Sequence, residues 1–322
     1  MLRARWHKPR TLRPLRLAAL ALAATLVAAS AAAPGRAAGA RPEGFASPDD
    51  AVSALVAAAR ADATGDLVKV LGAAGKTLVY SGDPVADKEG RAKFVASYDE
   101  GHKIVADGDA KAVLDIGSDD WPFPIPLVRQ ATAWHFDTKA AEEEILARRI
   151  GRNELNTIQV CLAYVAAQQE FAAKDRLGDG LREYATKFRS SPGKHDGLFW
   201  PAEAGEEESP LGPLVASARA EGYGPRAAGA KPRPFHGYYF RILTRQGKDA
   251  PGGAYSYMAK DHMIGGFALV AFPAKYRASG VMTFIVNQDG VVYQKDLGPK
   301  TAEIARRITA FDPDGSWTKA AP

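Results

Sequence analysis

Apolar residues recur at helical spacing in several segments of the chain. Residues 47–50, Ser-Pro-Asp-Asp, are typical of a helix start, because they offer a capping hydroxyl, a proline at the first helical position and two acids in the first turn. The spacing predicts helices over 48–61, 67–71, 84–98, 139–174 (with a break near Gly151), 214–221 and 301–310.

Alternation of apolar and polar positions predicts strands between these helices. The predicted strands are 77–80, 112–116, 124–128, 133–137, 238–244, 263–272, 281–286 and 291–295. Asp289-Gly290, between two β-branched runs, is a strong hairpin signal. Helices precede strands twice, so the order predicts an α+β protein of two domains, 41–150 and 151–322. Each domain has helices packed on an antiparallel sheet, and a long helix joins the two.

The first 40 residues have the pattern of a secretory signal peptide. A basic stretch through Arg16 precedes an apolar run over 17–29 and a series of small residues through Ala40. About 13 apolar residues are too few for a spanning helix, which needs about 20, so a permanent anchor is the weaker interpretation. Cleavage after Ala31 or Ala40 is possible, and we favour Ala40. We expect an exported protein, periplasmic or secreted, that is soluble after cleavage.

The charge balance changes once this segment is set aside. The chain has 42 basic and 37 acidic residues, a net charge of +5 and a pI of about 9.1. Residues 1–40 contain seven of the basic residues and no acidic one, leaving 35 basic against 37 acidic residues in the remainder. Nucleic acid is therefore not an expected partner.

The residues that could carry chemistry form no complete motif. Cys161 is the only cysteine, which excludes an intramolecular disulfide, and it falls on an apolar helical stripe, where a thiol acts as a small hydrophobe. The five histidines after residue 40 lie far apart in sequence: His102, His135, His195, His236 and His262. The sequence contains no nucleophile elbow, Walker loop or dinucleotide fingerprint, and no cofactor is implied.

One candidate ligand site lies beside a predicted hairpin. Asp119, Asp120 and Trp121 stand at its mouth, and Trp134 lies on its second strand. Two acids beside an indole could bind a polar ligand, or one acid could abstract a proton if burial raised its pKa. The alternative is a solvated turn with a core tryptophan, since adjacent residues on a strand point to opposite faces.

A second, partial motif suggests a metal. Asp175 and Asp179 occupy positions one and five of a calcium-loop pattern, and Gly180 occupies position six. Leu177 stands at position three and Thr186 where the bidentate glutamate belongs, so two oxygen ligands are missing. The alternative is a glycine-rich helix stop.

Four runs of the sequence carry a family resemblance. They are Ser81-Gly82-Asp83-Pro84, Asp120-Trp121-Pro122-Phe123-Pro124-Ile125-Pro126-Leu127-Val128, Arg149-Ile150-Gly151-Arg152-Asn153-Glu154-Leu155 and residues 282–298. In order and type they resemble the bacterial family called domain of unknown function 2950. The resemblance implies an exported bacterial protein and implies no activity, so no catalytic residue is carried over.

Two weaker fold similarities complete the interpretation. The N-terminal order of elements is similar to the cone-shaped nuclear-transport-factor-like superfamily, and the second half is similar to the globular heads of type IV pilins and pseudopilins. We therefore expect an exported envelope protein acting as a non-catalytic binding or assembly-associated module. Its partner would be an envelope protein or a small ligand. The alternative is a hydrolase or isomerase that uses the N-terminal cone pocket, and a fold alone does not decide between them.

Overall fold

The computed structural model describes residues 42–225 and 230–321. The predicted signal peptide, 1–40, lies outside the described residues. The helices are α1 (Pro48–Arg60), α2 (Thr64–Val79), α3 (Pro84–Glu100), α4 (Thr138–Ala172), α5 (Gly212–Ala220) and α6 (Thr301–Arg307). The strands of the first half are β1 (His102–Ala106), β2 (Lys111–Ile116), β3 (Trp121–Pro122), β4 (Leu127–Gln130) and β5 (Ala133–Phe136).

The second half consists of short strands and one larger sheet. Its strands are β6 (Tyr238–Leu243), β7 (Arg245–Gln246), β8 (Tyr255–Ser256), β9 (Met258–Ala259), β10 (His262–Met263), β11 (Ala268–Pro273), β12 (Met282–Asn287), β13 (Tyr293–Asp296) and β14 (Thr318–Lys319). The protein is therefore α+β, as the order of predicted elements indicated.

Both main sheets are antiparallel. In the first, the order is β1-β2-β4-β5, and β3 also pairs with β2. In the second, the order is β14-β13-β12-β11-β6. The Asp289-Gly290 hairpin joins β12 to β13, with Gly290 at φ 72° in the left-handed region that a tight turn requires.

Helix α2 replaces a predicted strand. Residues 77–80 were expected to be extended, which is wrong: the helix continues to Val79 after a kink at Gly72, whose φ is 71°. A side chain distant in sequence bonds two carbonyls in its last turn: the Arg149 guanidinium donates to Thr77 O at 3.1 Å and to Leu78 O at 2.6 Å. Tertiary contacts thus stabilise a helix in a segment whose β-branched residues favour a strand.

Helix α4 runs without interruption through Gly151, so the predicted break there is also wrong. The glycine is exposed and a Cβ at this position would meet no atom within 4 Å. The helix stays continuous because side chains on both sides of Gly151 are bonded to other elements: Arg149 to α2, and Asn153 to Ser279 O at 2.8 Å.

Two hydrophobic cores lie on opposite parts of α4. The first core contains buried residues from α1, α2 and the first sheet, and from α4 it includes Ala141. The second core packs Ile158, Cys161 and Tyr164 of α4 against the second sheet. The predicted domains 41–150 and 151–322 would meet within this continuous helix, and that division stays a prediction.

Two glycine substitutions test this description of the helices. Gly151→Ala should stabilise the protein by about 0.5–1 kcal/mol, because alanine removes the entropic cost of an exposed helical glycine. Gly72→Ala should destabilise it by more than that amount, because the residue has a positive φ and a Cβ would lie 2.8 Å from Pro42 Cγ. Urea unfolding of both variants measures the two changes, and a loss of stability in Gly151→Ala would contradict the continuous helix.

Candidate functional site

The predicted ligand residues Asp119, Asp120 and Trp121 lie on the turn from β2 into β3. Asp120 has a φ of 52° and its carboxylate lies 2.6 Å from Lys103 Nζ on β1. This hydrogen bond raises the pKa of Lys103 above its usual value. Asp119 is exposed, and the Trp121 side chain is 60% exposed. Neither acid is desolvated in the way that a proton-abstracting carboxylate requires.

Trp121 belongs to a row of side chains at the end of the first sheet. It pairs with Ile116 of β2, which pairs in turn with His102 of β1, so the three side chains share one face. His102 also stacks on Tyr98, with ring centroids 3.7 Å apart. We call Tyr98, His102, Ile116 and Trp121 the aromatic rim. His102 and Trp121 are exposed, whereas Tyr98 and Ile116 are half-buried against the first core.

The structure does not bring Trp134 to this rim. Trp121 pairs with Ile116 of β2. Trp134 pairs with Arg129 of β4, and Arg129 lies one residue beyond the partner of Lys111 at the other end of β2. Six positions along a strand separate the two tryptophans by roughly 20 Å. Trp134 is half-buried against the first core and pairs with Phe45.

Side chains fill the concave face behind the rim. The inward-facing residues of the sheet are almost fully buried: Ala112, Leu114, Leu127 and Phe136. Phe123 closes the space between sheet and helix, because its ring lies 5.1 Å from that of Phe94 on α3 and 6.4 Å from that of Phe136. The interior of the first half is thus a packed core at this position.

The two predicted metal ligands point to different partners. Both carboxylate oxygens of Asp175 accept backbone N–H groups, from Gly178 at 2.7 Å and Gly180 at 2.8 Å. These bonds lower the pKa of Asp175 below its usual value. Asp179 instead lies beside Glu183 and His262, with its Oδ2 3.6 Å from the imidazole Nδ1.

The single cysteine is buried in the second core, as its place on the apolar stripe predicted. Burial raises the pKa of the Cys161 thiol to about 12. The thiolate needed for nucleophilic attack is therefore scarce at neutral pH.

A buried polar junction, which the sequence analysis did not single out, links the two halves of the chain. Asp83 is 1% exposed, and its Oδ1 caps α3 by accepting from Val85 N at 3.2 Å and Ala86 N at 3.3 Å. Its Oδ2 accepts from Tyr223 Oη–H and from Gly237 N, both at 2.8 Å. One carboxylate thus satisfies four donors from three segments.

The surroundings of the junction keep its donors in place. Burial, followed by the charge of Asp83, raises the pKa of Tyr223, so the phenol remains a donor to the carboxylate. Tyr223 Oη accepts from His236 N at 3.2 Å, and His236 Nε2 lies 2.5 Å from Glu221. Because protein donors occupy both oxygens of Asp83, the junction has the character of a structural bond and not of a general base.

Helix α4 adds a second carboxylate bond of the same kind. Glu154 Oε1 accepts from Val281 N at 2.8 Å and Met282 N at 2.9 Å, where β12 begins. Tyr238 donates to Met282 O at 3.0 Å beside it. Three of the four runs that carry the family resemblance thus supply residues to these contacts between the two halves.

The comparisons with known proteins identify a family for this chain. The model of a family described as a protein of unknown function, DUF2950, matches residues 43–320. Neither a curated protein nor a solved structure matches the chain significantly. Among the residues that the structure describes, no helix is both long enough and apolar enough to cross a bilayer.

The buried junction predicts a graded loss of stability. Asp83→Asn should lower the free energy of unfolding by about 3 kcal/mol, because an amide offers one acceptor and directs N–H groups at buried donors. Tyr223→Phe should cost about 1–2 kcal/mol, since it removes one donor. Tyr276→Phe is the matched control, because its hydroxyl donates to an exposed acid, Asp296, and its loss should cost little. Chemical denaturation of the three variants would contradict the assignment if all of them lost equal stability.

Proposed function

This chain belongs to the DUF2950 family of proteins of unknown function, and we propose that it is an exported envelope protein acting as a non-catalytic binding or assembly-associated module. One observation carries the proposal: three of the four residues expected to line a pocket, Asp119, Asp120 and Trp121, are exposed at the end of the first sheet, while side chains fill the space behind them. A surface of this kind suits contact with a partner better than enclosure of a substrate.

The aromatic rim offers two features that protein interfaces use. A largely exposed indole presents apolar area to a partner, and tryptophan is enriched among residues that dominate binding energy. Asp120, adjacent to Trp121 in the chain, lies 2.6 Å from Lys103 Nζ, which is 3.9 Å from Asp115, so charged groups lie at the same end of the sheet as the indole. An apolar centre with a polar border is the usual organisation of a binding surface.

The backbone next to Trp121 keeps this border open. β3 is only two residues long, and Pro122, Pro124 and Pro126 have no N–H with which to extend the pairing. Phe123 N donates to Leu114 O at 2.7 Å, which anchors the segment of the three prolines to β2. The prolines have no N–H to offer a further strand on the outer edge of this segment. The rim is thus held rigidly at the end of the sheet.

Export and the two fold similarities are part of the same proposal. The pattern of residues 1–40 supports a cleaved signal peptide, which places the mature chain in the periplasm or outside the cell. Three helices and an antiparallel sheet support a nuclear-transport-factor-like first domain. A long helix on a five-stranded antiparallel sheet supports a pilin-head-like second domain.

The alternative, an enzyme that uses the N-terminal cone, would need an open cavity lined by an acid and a histidine. Two grooves of the described structure lie elsewhere, one between α1 and α3 and one between β13 and α6. Neither lining includes a histidine, and the groove between α1 and α3 is flanked by the ion pairs Arg60–Asp99 and Arg91–Asp62. These observations favour the binding module.

Site-specific photo-crosslinking in living cells tests the binding function. A photoreactive residue in place of Trp121 should give a discrete adduct with one envelope partner. The same residue in place of Leu155, which is 56% exposed on α4, should give none. Adding Asp120→Asn should weaken the adduct from position 121 without changing the melting temperature, because asparagine tolerates the positive φ and an exposed ion pair contributes less than about 1 kcal/mol.

Three results would contradict the proposal. They are equal adducts from both positions, no adduct from position 121, and an Asp120→Asn effect that follows a fall in abundance or melting temperature. Export is checked separately by intact mass: protein from the envelope fraction should lack residues 1–40, and recovery of the full-length chain in the cytoplasm would refute it.

A further inference from the structure

Three chemically competent side chains meet at the edge of the second half, outside the aromatic rim. Asp179 and Glu183 come from the segment before the second sheet, and His262 comes from β10. Their ligand atoms all lie within 4.8 Å of one another. The backbone bridge between Tyr184 and Met263 holds the two segments together, with Tyr184 N donating to Met263 O at 2.8 Å.

We propose that Asp179, Glu183 and His262 form a binding site for a zinc ion or another late first-row divalent cation. Imidazole nitrogen and carboxylate oxygen are both ligands of zinc, and catalytic zinc sites have three protein ligands with the fourth position left for water. The imidazole nitrogen argues against calcium, which takes oxygen ligands. The site shares Asp179 with the calcium-loop pattern of the sequence but replaces Asp175 by Glu183, at position nine of that pattern, and by His262 of β10.

The distances within the cluster fit a metal site better than a hydrogen-bonded ion pair. His262 Nδ1 lies 3.3 Å from each oxygen of Glu183 and 3.6 Å from Asp179 Oδ2. A charge-assisted hydrogen bond would be about 2.7–2.9 Å. Ligands at about 2.0–2.1 Å from a tetrahedral ion lie about 3.3–3.4 Å apart, which is close to the separations of His262 Nδ1 from the two carboxylates.

Burial and charge support the same assignment. Glu183 is 6% exposed, and burying a carboxylate is costly unless hydrogen bonds or a positive charge compensate for the lost water. Among the described residues, the ion pairs of Glu183 and Asp179 are both made with His262 and with no lysine or arginine. A divalent cation would neutralise both carboxylates, whereas one imidazolium would neutralise only one.

The cluster also has the outer contacts that orient metal ligands. Asp179 Oδ1 accepts from Leu181 N at 3.0 Å, and Glu183 Oε2 accepts from Met263 N at 3.3 Å. Such bonds fix the direction of a carboxylate toward an ion. Asp179 and His262 are each about one-third exposed, which gives an ion access from solvent. An exported chain with a single cysteine cannot crosslink this region with an internal disulfide, and a bound ion would fasten the 179–183 segment to β10 instead.

Titration of the purified, chelator-treated protein with Zn²⁺ tests the site. Isothermal titration calorimetry should give one ion per chain, and X-ray absorption at the zinc edge should show one imidazole and oxygen ligands. Since outer-shell partners alone are worth about 10–100-fold in affinity, His262→Ala and Asp179→Asn should each weaken binding by more than about 100-fold. Asp261→Asn removes an exposed acid next to His262 and should bind as the wild type does.

Glu183→Gln is an additional variant, and circular dichroism shows whether this buried change still folds. If Glu183→Gln does not fold, the variants at the partly exposed positions 179 and 262 still decide the test. Absence of Zn²⁺ binding by the wild type would overturn the proposal. Unchanged Zn²⁺ binding by His262→Ala would also overturn it and would indicate an adventitious ion only. Tighter binding of Ca²⁺ than of Zn²⁺ would overturn it as well. None of these outcomes depends on the aromatic rim or on export.

Discussion

The carboxylate of Asp83 constrains more of this structure than any other single group that we describe. Placing a charge where it is 1% exposed is costly unless hydrogen bonds replace the lost water. Two of the replacements are local, at the start of α3, and two come from residues 140 and 154 positions later in the chain. The carboxylate is fully bonded only when the second half of the protein lies against the first.

Helix α4 extends this constraint across the protein. Near its middle, Arg149 caps α2 of the first half while Glu154 accepts the two amides at the start of β12 in the second half. The two hydrophobic cores are therefore connected by a continuous helix and by the carboxylates of Asp83 and Glu154, not by a flexible linker. A single cysteine rules out an internal disulfide, so the chain depends on packing and buried hydrogen bonds for its stability. The two sites that we propose, the aromatic rim and the cluster of Asp179, Glu183 and His262, lie apart from these junction contacts.

Local signals in the sequence predicted most of the helices and the second sheet. The Ser47 cap, the Asp83-Pro84 start and the Asp289-Gly290 turn act over a few residues, and the structure confirms all three. The predictions of a strand over 77–80 and of a break at Gly151 were wrong because hydrogen bonds from Arg149 and Asn153 to partners distant in sequence stabilise the helical backbone there.

The site residues follow the same rule. Asp119 to Trp121 stay together because they are adjacent, whereas the register of β4 and β5 carries Trp134 away. No spacing rule joins Glu183 to His262, because the backbone bridge between Tyr184 and Met263 of β10 brings the two residues together.

Native-state hydrogen exchange of the Gly237 amide tests most directly whether the two cores form one cooperative structure. This N–H donates to Asp83 across the junction, and its exchange reports the opening of that bond. If the junction joins both cores, the Gly237 amide should exchange with the same free energy of opening as the amides of β2 and β11, which is the free energy of global unfolding. Exchange of Gly237 and β2 through a lower-energy opening that leaves β11 protected would contradict this account and would show two independently unfolding units.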